Sequence, residues 1–527
     1  MCYKTKGLSN LCVGKNKRRA LRAAFRFDYS NGQFCNGSIF CQDRTKPSRS
    51  PVFPHRICKY AFFQIEFYKK GGRFACLNNF LLGCSKCKAA GMVIIVEAAK
   101  YRNHLMILCH ELQVALGCTE PIAVAYAAAK ARQVLGSMPE SCLIQCSGNI
   151  VKNVKGVTVP NSGGLRGIEA AAVLGVVGGD PNRKLAVLEH ITDTDRTQVR
   201  ELLRQKFCTC ELIEDVENLY IIVQLKAGPD SALVEIREEH DNITRIVRNG
   251  ATQFEKAVER LHPSNEGTPA DIDLQSILEF ADCAAISDLE PLLRKQVECN
   301  TAISKEGLNS KWGVQAGRNL LARHHCPDLH IRARAAAAAG SDARMGGCAL
   351  PVVINCGSGN QGITVTMPIV VYAQDCQAQP EKLYRALALA NLIAVHQKKY
   401  IGRLSAYCGV VSAATAAACG IVYLRWIDRT GEEDLRYEAI CRTITNSICT
   451  IGGMVCDGAK SSCATKISIA VENALVAMDM ALEGLVFQPG EGLVMDSAEN
   501  TIQAVGRMGK DGMRSTDLEI LSIMLGH

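Results

Sequence analysis

Cys456 and Cys463 stand seven residues apart in Cys456-Asp-Gly-Ala-Lys-Ser-Ser-Cys463, on either side of a glycine turn, and a third thiol lies upstream in Ser405-Ala-Tyr-Cys408-Gly409. A structural zinc or an electron-transfer cluster closes its coordination with four protein ligands, whereas a catalytic metal centre keeps one position for substrate. Three cysteines therefore read as a candidate open iron–sulfur site. A plainer reading competes with it. The chain holds 26 cysteines, and free cysteine often serves only as a small buried hydrophobe.

Other residue groups could bind or react. Gly357-Ser-Gly-Asn-Gln-Gly362 has the letters of a dinucleotide fingerprint and follows a strand-like Pro351-Val-Val-Ile-Asn355. Ile363-Thr-Val-Thr-Met-Pro368 after it is β-branched and interrupted by proline, so the helix such a fingerprint needs is not expected. The loop still suits a carboxylate: its glycines bare backbone N–H groups, and Ser358, Asn360 and Gln361 offer side-chain donors. Arg344 could add a bidentate partner, although an ion pair with Asp342 or plain solvation accounts for it equally well. His324, His325, Cys326 and His330 form a donor cluster without a second pair, which reads better as an exposed loop near Pro327 than as zinc ligands. Cys84 and Cys87 form a lone CxxC with the same weakness.

The elements that must carry these groups can be sketched from periodicity. Met106 to Leu135 reads as two helical stretches broken at Gly117-Cys-Thr-Glu-Pro121, with Thr119 as N-cap. Cys118 then lies at a helix N-terminus, which favours a thiolate. Leu219 to Leu225 and Ser231 to Arg237 flank Gly228-Pro-Asp230 as a β-hairpin, with further strands expected at Leu185–His190 and Asn242–Val247. A charged stretch from His262 to Ala270 is the candidate boundary. Beyond it helices dominate, clearest at Ala335–Ala339, Glu381–His396, Gly409–Ala418 and Ser468–Leu485. The expected fold class is α+β: a smaller N-terminal α+β region (92–265) with the hairpin, and a mainly helical C-terminal catalytic domain (266–527).

Residues 1–91 fit neither region. Residues 1–100 carry 19 Lys+Arg against 4 Asp+Glu, while the remaining 427 carry 41 against 48. The overall +8 thus belongs to the first fifth, and the main body has no nucleic-acid footprint. A targeting or accessory extension, a disordered tail, or upstream sequence read from a start ahead of Met92 or Met106 would each explain the segment. The last two fit better, because the recognisable pattern begins only near Ile107. No run is apolar enough for a membrane span, and cysteine usage lacks the dense spacing of a secreted disulfide scaffold. A reducing cytoplasm is the expected setting.

Taken in order, Gly117-Cys-Thr-Glu-Pro121, Ser341-Asp-Ala-Arg-Met-Gly-Gly347, Gly357-Ser-Gly-Asn-Gln-Gly362, Gly402-Arg-Leu-Ser-Ala-Tyr-Cys-Gly409 and Cys456-Asp-Gly-Ala-Lys460 with Cys463 resemble the L-cysteine desulfidase family. That family is related to the alpha part of iron–sulfur L-serine dehydratases. The resemblance covers about residues 106–490. It implies a 4Fe-4S cluster held by Cys408, Cys456 and Cys463, with Cys118 as catalytic acid/base and the glycine loop near the substrate. Cys356 stands where relatives commonly have serine and is not assigned as a ligand. Cys419, Cys441 and Cys449 are read as core. Serine dehydratases of this kind carry a cysteine at the extreme C-terminus, whereas the last cysteine here is Cys463, which tilts the expectation toward cysteine.

The implied reaction is β-elimination of L-cysteine to hydrogen sulfide, pyruvate and ammonia. The expected partner is a small amino-acid substrate, with neither nucleic acid nor membrane, and a homodimer is the assembly to look for. Three alternatives stand beside it: serine dehydration, a non-catalytic iron–sulfur sensor, and a pyridoxal-phosphate lyase, for which no lysine has a convincing context.

Overall fold

A computed structural model describes residues 67–70, 73–76, 85–256, 272–429 and 431–526, with side chains from residue 98 onward. The Cys84/Cys87 pair and the candidate boundary at His262–Ala270 lie outside what is described. The chain divides into two compact units, Met1–Gly83 and Cys84–His527. In the first, β1 (Phe67–Lys70) pairs antiparallel with β2 (Arg73–Cys76).

The second unit opens with α1 (Ser85–Glu111), β3 (Val114–Leu116) and α2 (Thr119–Leu135). Next come β4 (Ser141–Ser147), α3 (Gly148–Val154), α4 (Ile168–Gly178), α5 (Asp193–Arg204), β5 (Cys208–Ile213), β6 (Tyr220–Ala227), β7 (Asp230–Arg237), β8 (Ile243–Arg248) and β9 (Ala251–Glu255). These strands form one six-stranded sheet in the order β5-β4-β6-β7-β8-β9. β4 and β5 run parallel, joined by the α3–α5 crossover, and the other neighbours are antiparallel. Alternation makes the sheet one-sided: Ile221, Val223 and Leu225 of β6 and Ala232, Val234 and Ile236 of β7 are buried, on the face that α2 covers.

The β6–β7 hairpin turns at Gly228 (φ +55°), as its sequence requires. Leu185–His190 is not the expected strand. Its start closes a 3₁₀ turn, Pro181–Ala186, capped by the Asp180 carboxylate on the Asn182 N–H. Leu185, Val187 and Leu188 are apolar because they fill the core, with no ladder alongside them.

The helical region comprises α6 (Leu274–Cys283), α7 (Ile286–Asn309), α8 (Ala316–Ala322), α9 (Leu329–Met345), β10 (Pro351–Val353), α10 (Gly359–Asp375), α11 (Pro380–Ile401), α12 (Val410–Trp426), α13 (Glu433–Ile451), α14 (Cys463–Leu482), α15 (Ala498–Arg507) and α16 (Arg514–Leu525). Small residues let these helices pack closely. A Cβ on Gly307 of α7 would lie 1.9 Å from the Ala339 carbonyl oxygen of α9. One hydrophobic core, from Ile107 to Met513, runs through both the sheet and the helices.

Ile363–Val371 corrects the sequence reading: it is helical, in α10, with Pro368 inside. β-Branching and proline both oppose a helix in isolation. Here Ile363 to Val370 are all buried among α7, α9, α11 and α12, and Thr364 and Thr366 donate their hydroxyls to carbonyls one turn back. Tertiary packing decides the conformation.

Candidate active site

Two short elements bring the reactive loops together. β10 pairs antiparallel with β3, setting Pro351 opposite Leu116. Gly117 follows with φ +63°, where a Cβ would sit 1.9 Å from the Pro160 ring. Cys118, not Thr119, is the N-cap of α2. The Thr119 hydroxyl instead donates to the Gly357 carbonyl at 2.8 Å, tying this turn to the glycine loop.

Cys118 is buried, and its Sγ donates to Glu120 Oε2 at 3.1 Å. The same carboxylate accepts from the Thr119 hydroxyl (3.2 Å) and Asn153 Nδ2 (3.3 Å). Burial, with Glu120 adding to it, pushes the Cys118 thiol well above its ordinary value, and Arg344 only partly offsets this. The thiolate expected at a helix terminus is therefore not the resting form.

Arg344 ends α9 and is 2% exposed. Its Nε donates to the Gly117 carbonyl at 2.9 Å, and its Nη2 is buried without a partner. Among the described residues it makes no ion pair. Asp342 turns away to accept the Gly317 N–H, and burial raises its carboxyl to about 6.

The glycine loop brings Ser358 to the N-cap of α10, and Asn360 and Gln361 into its first turn. The helix N-terminus that the sequence reading denied is thus present. Its third glycine, Gly362, packs where a Cβ would be 2.1 Å from the Val353 carbonyl oxygen. Asn360 Oδ1 and Gln361 Oε1 are buried without partners. The strand before the helix belongs to a two-stranded antiparallel pair, so no dinucleotide-binding sheet surrounds it.

Cys408 lies between α11 and α12, and Cys456 between α13 and α14. The two loops zip together: Cys408 N–H donates to the Met454 carbonyl (2.8 Å) and Cys456 N–H to the Ala406 carbonyl (2.6 Å). Cys463 opens α14, and its Sγ contacts the Gly458 carbonyl at 3.8 Å. Lysines surround this corner. Lys152 Nζ donates to the Cys456 carbonyl (3.3 Å) and pairs with Asp517 of α16. Lys466 Nζ donates to the Val455 carbonyl (2.7 Å), and buried Lys398 reaches the Arg403 carbonyl (3.4 Å). The hydrogen bond from Cys408, then Lys152 and Lys466, hold the Cys456 thiol below its ordinary value, while Cys408 is pushed up in return.

The residues that the family resemblance and the glycine loop single out line one cavity of about 90 Å³: Cys118, Arg344, Ser358, Asn360, Gln361, Cys408, Cys456 and Cys463. A larger open depression of about 510 Å³, lined by Tyr372, Lys382 and Arg425 among others, holds none of them. Among the described residues no group of three His, Cys, Asp or Glu could hold a metal ion. His324, His325 and Cys326 are exposed, and His330 faces Asp479 at 3.4 Å.

A cluster, unlike one ion, offers separate irons to its ligands, so its thiolates need not meet at a single point. Three thiols lining one cavity suit such a soft group better than a hard oxygen-bound cation. Cys356, in the left-handed region at φ +49°, adds another buried thiol to the lining. Cys419 is core, and Cys441 and Cys449 pack against it. Glu120, Asn153, His240, Lys398 and Arg403 also line the cavity. Glu120 and Arg403 lay inside quoted motifs. The others are isolated residues with no local signal.

The model of the serine dehydratase alpha chain family matches residues 182–522, and the chain belongs to that family. Members of it are generally associated with iron–sulfur centres and are lyase-type enzymes. The chain is also 47% identical over 425 residues to a UPF0597 protein of Lachnoclostridium phytofermentans, spanning 81% of this chain and 100% of the relative. UPF0597 proteins of Treponema denticola (39% over 437 residues, 82% and 99%) and Finegoldia magna (43% over 425 residues, 80% and 99%) are similarly matched. Among the described residues no helix is long and apolar enough to cross a membrane.

Proposed function

We propose that this protein is an L-cysteine desulfidase, a lyase that eliminates hydrogen sulfide from L-cysteine and leaves pyruvate and ammonia. The observation that carries this reading is the buried Arg344 guanidinium, with a free Nη2 and no acidic partner among the described residues, in the same cavity as three thiols. An uncompensated buried cation is costly, and a substrate carboxylate would relieve it.

Cys408, Cys456 and Cys463 would hold a 4Fe-4S cluster. Bound there, the cluster would supply Lewis acidity to a departing sulfur. Arg344, with the amides of the α10 N-terminus and Ser358, Asn360 and Gln361, fixes the substrate's carboxylate end. Cys118 and Glu120 act as one proton-transfer pair: as Cys118 accepts the Cα proton, its own thiol proton passes to Glu120 over their existing hydrogen bond. Burial keeps water from competing for that proton. The aminoacrylate released then tautomerises and hydrolyses to pyruvate and ammonia.

Serine elimination is the second reading, favoured by the description of the family. Measuring kcat/KM for L-cysteine and L-serine on one anaerobically reconstituted preparation separates the two. A higher value for serine would move the assignment to a dehydratase. Free thiols throughout the described cysteines fit a reducing, cytoplasmic setting.

A further inference from the structure

The cavity described above has one wall supplied by the sheet rather than by the helices. His240 lies in the turn between β7 and β8, is 5% exposed, and lines the cavity with Nε2 buried and unpartnered. The turn is built to hold it there. Asn242 Nδ2 donates to the Arg237 carbonyl (2.9 Å), and Lys184 pairs with Asp241 (2.9 Å). Across the cavity the ring rests on Gly357, where a Cβ would lie 3.1 Å from its Cε1. Glycine at 357 therefore both permits the positive φ and leaves space for the imidazole.

The charges facing this ring are Glu120 of α2, Arg403 after α11, and Asp241 and Glu239 of its own turn. Arg403 is itself held by Glu111 and Glu239, each at 3.0 Å. Burial keeps the imidazole uncharged, so its free nitrogen can accept a hydrogen bond. The anionic neighbour inside the cavity is Glu120.

We propose that His240 is a substrate-contacting specificity residue: its Nε2 accepts a hydrogen bond from the substrate's α-ammonium, with Glu120 supplying the opposing negative charge. The cavity then reads both ends of an α-amino acid, carboxylate on Arg344 and ammonium on His240 and Glu120. This rests on the α-amino-acid reading of the site given above.

L-alanine and propionate test it, because they have no leaving group and differ only in ammonium against hydrogen. Their dissociation constants for the reconstituted holoprotein are obtained by ligand-observed NMR titration. Wild type should prefer L-alanine by at least about 10-fold, the worth of a hydrogen bond to a charged group. His240→Asn, which cannot reach the Nε2 position, should reduce that preference about 10-fold, while His240→Gln, whose amide oxygen can, should retain it. A preference unchanged in His240→Asn overturns the proposal, and so does loss of preference in both variants. No L-alanine binding by wild type overturns both the proposal and the reading beneath it. Normal preferences without sulfide release from L-cysteine would leave the His240 assignment standing and sink the desulfidase assignment alone.

Discussion

Cys118 sits where backbone N–H groups favour an anion, yet burial and the Glu120 carboxylate 3.1 Å away hold its thiol protonated. The consequence is a thiol–carboxylate pair rather than a free thiolate. Cys118→Ala should abolish sulfide release while leaving the visible absorbance of the reconstituted cluster intact. Loss of that absorbance as well would make Cys118 a ligand or a structural residue. Arg344→Lys keeps a positive charge but not the planar fork, so kcat/KM should fall about 10- to 100-fold, chiefly through KM. A kcat/KM within twofold of wild type would remove Arg344 from the substrate site. Residue chemistry was the most legible level of this sequence, because the Cys-Thr-Glu-Pro, glycine-loop and cysteine motifs each carry their own signal. His240 was not legible: one histidine between two strands has no spacing partner, and only the folded turn brings it to Gly357.

The elements show where local rules give way. β-Branched residues and Pro368 argue for a strand after the glycine loop, and burial among four helices makes it α10. The same packing sets the cost of changing Gly307, whose Cβ would strike the Ala339 carbonyl. Gly307→Ala should destabilise the protein by about 1–3 kcal/mol through forced separation of α7 and α9, read as a lower Tm. An unchanged Tm would mean the two helices are not held at this distance.

A pH effect belongs to this scale too. The turn before β8 is pinned to α1 by Glu239 and His110. The bond from His110 holds the Glu239 carboxyl down to about 2, and bonds to Glu111 and Glu239 raise His110 to about 10. Glu239 therefore stabilises the fold fully above its ordinary 4.5 and loses that contribution as pH falls toward 2. His110 contributes fully below 6.5 and loses it as pH rises toward 10, modestly, since its side chain is 51% exposed. The Tm deficit of Glu239→Gln should thus be largest between about pH 4.5 and 6.5 and shrink on either side. A pH-independent deficit would show that packing, not charge, is what the substitution removes.

Across the molecule, one core unites the sheet and helical regions of Cys84–His527, and the cavity draws on both. The start of α2 brings Cys118, the β7–β8 turn brings His240, α9 brings Arg344, and the α11–α12 loop, the α13–α14 loop and the start of α14 bring the three thiols. The α+β class and the helices α1, α2, α9, α11, α12 and α14 could be read from periodicity. The β4–β5 parallel pair could not, because its strands are separated by a long crossover whose closure no local pattern encodes. The central claim is that three thiols hold an iron–sulfur cluster at which L-cysteine is eliminated. Its most direct test is to supply L-cysteine to anaerobically reconstituted wild type and Cys456→Ser, without pyridoxal phosphate, and to measure iron content, sulfide and pyruvate together. Wild type should retain iron and release sulfide and pyruvate in equal amounts, and Cys456→Ser should lose both iron and turnover. Full iron content and activity in Cys456→Ser, or an iron-loaded wild type that releases no sulfide, would contradict it.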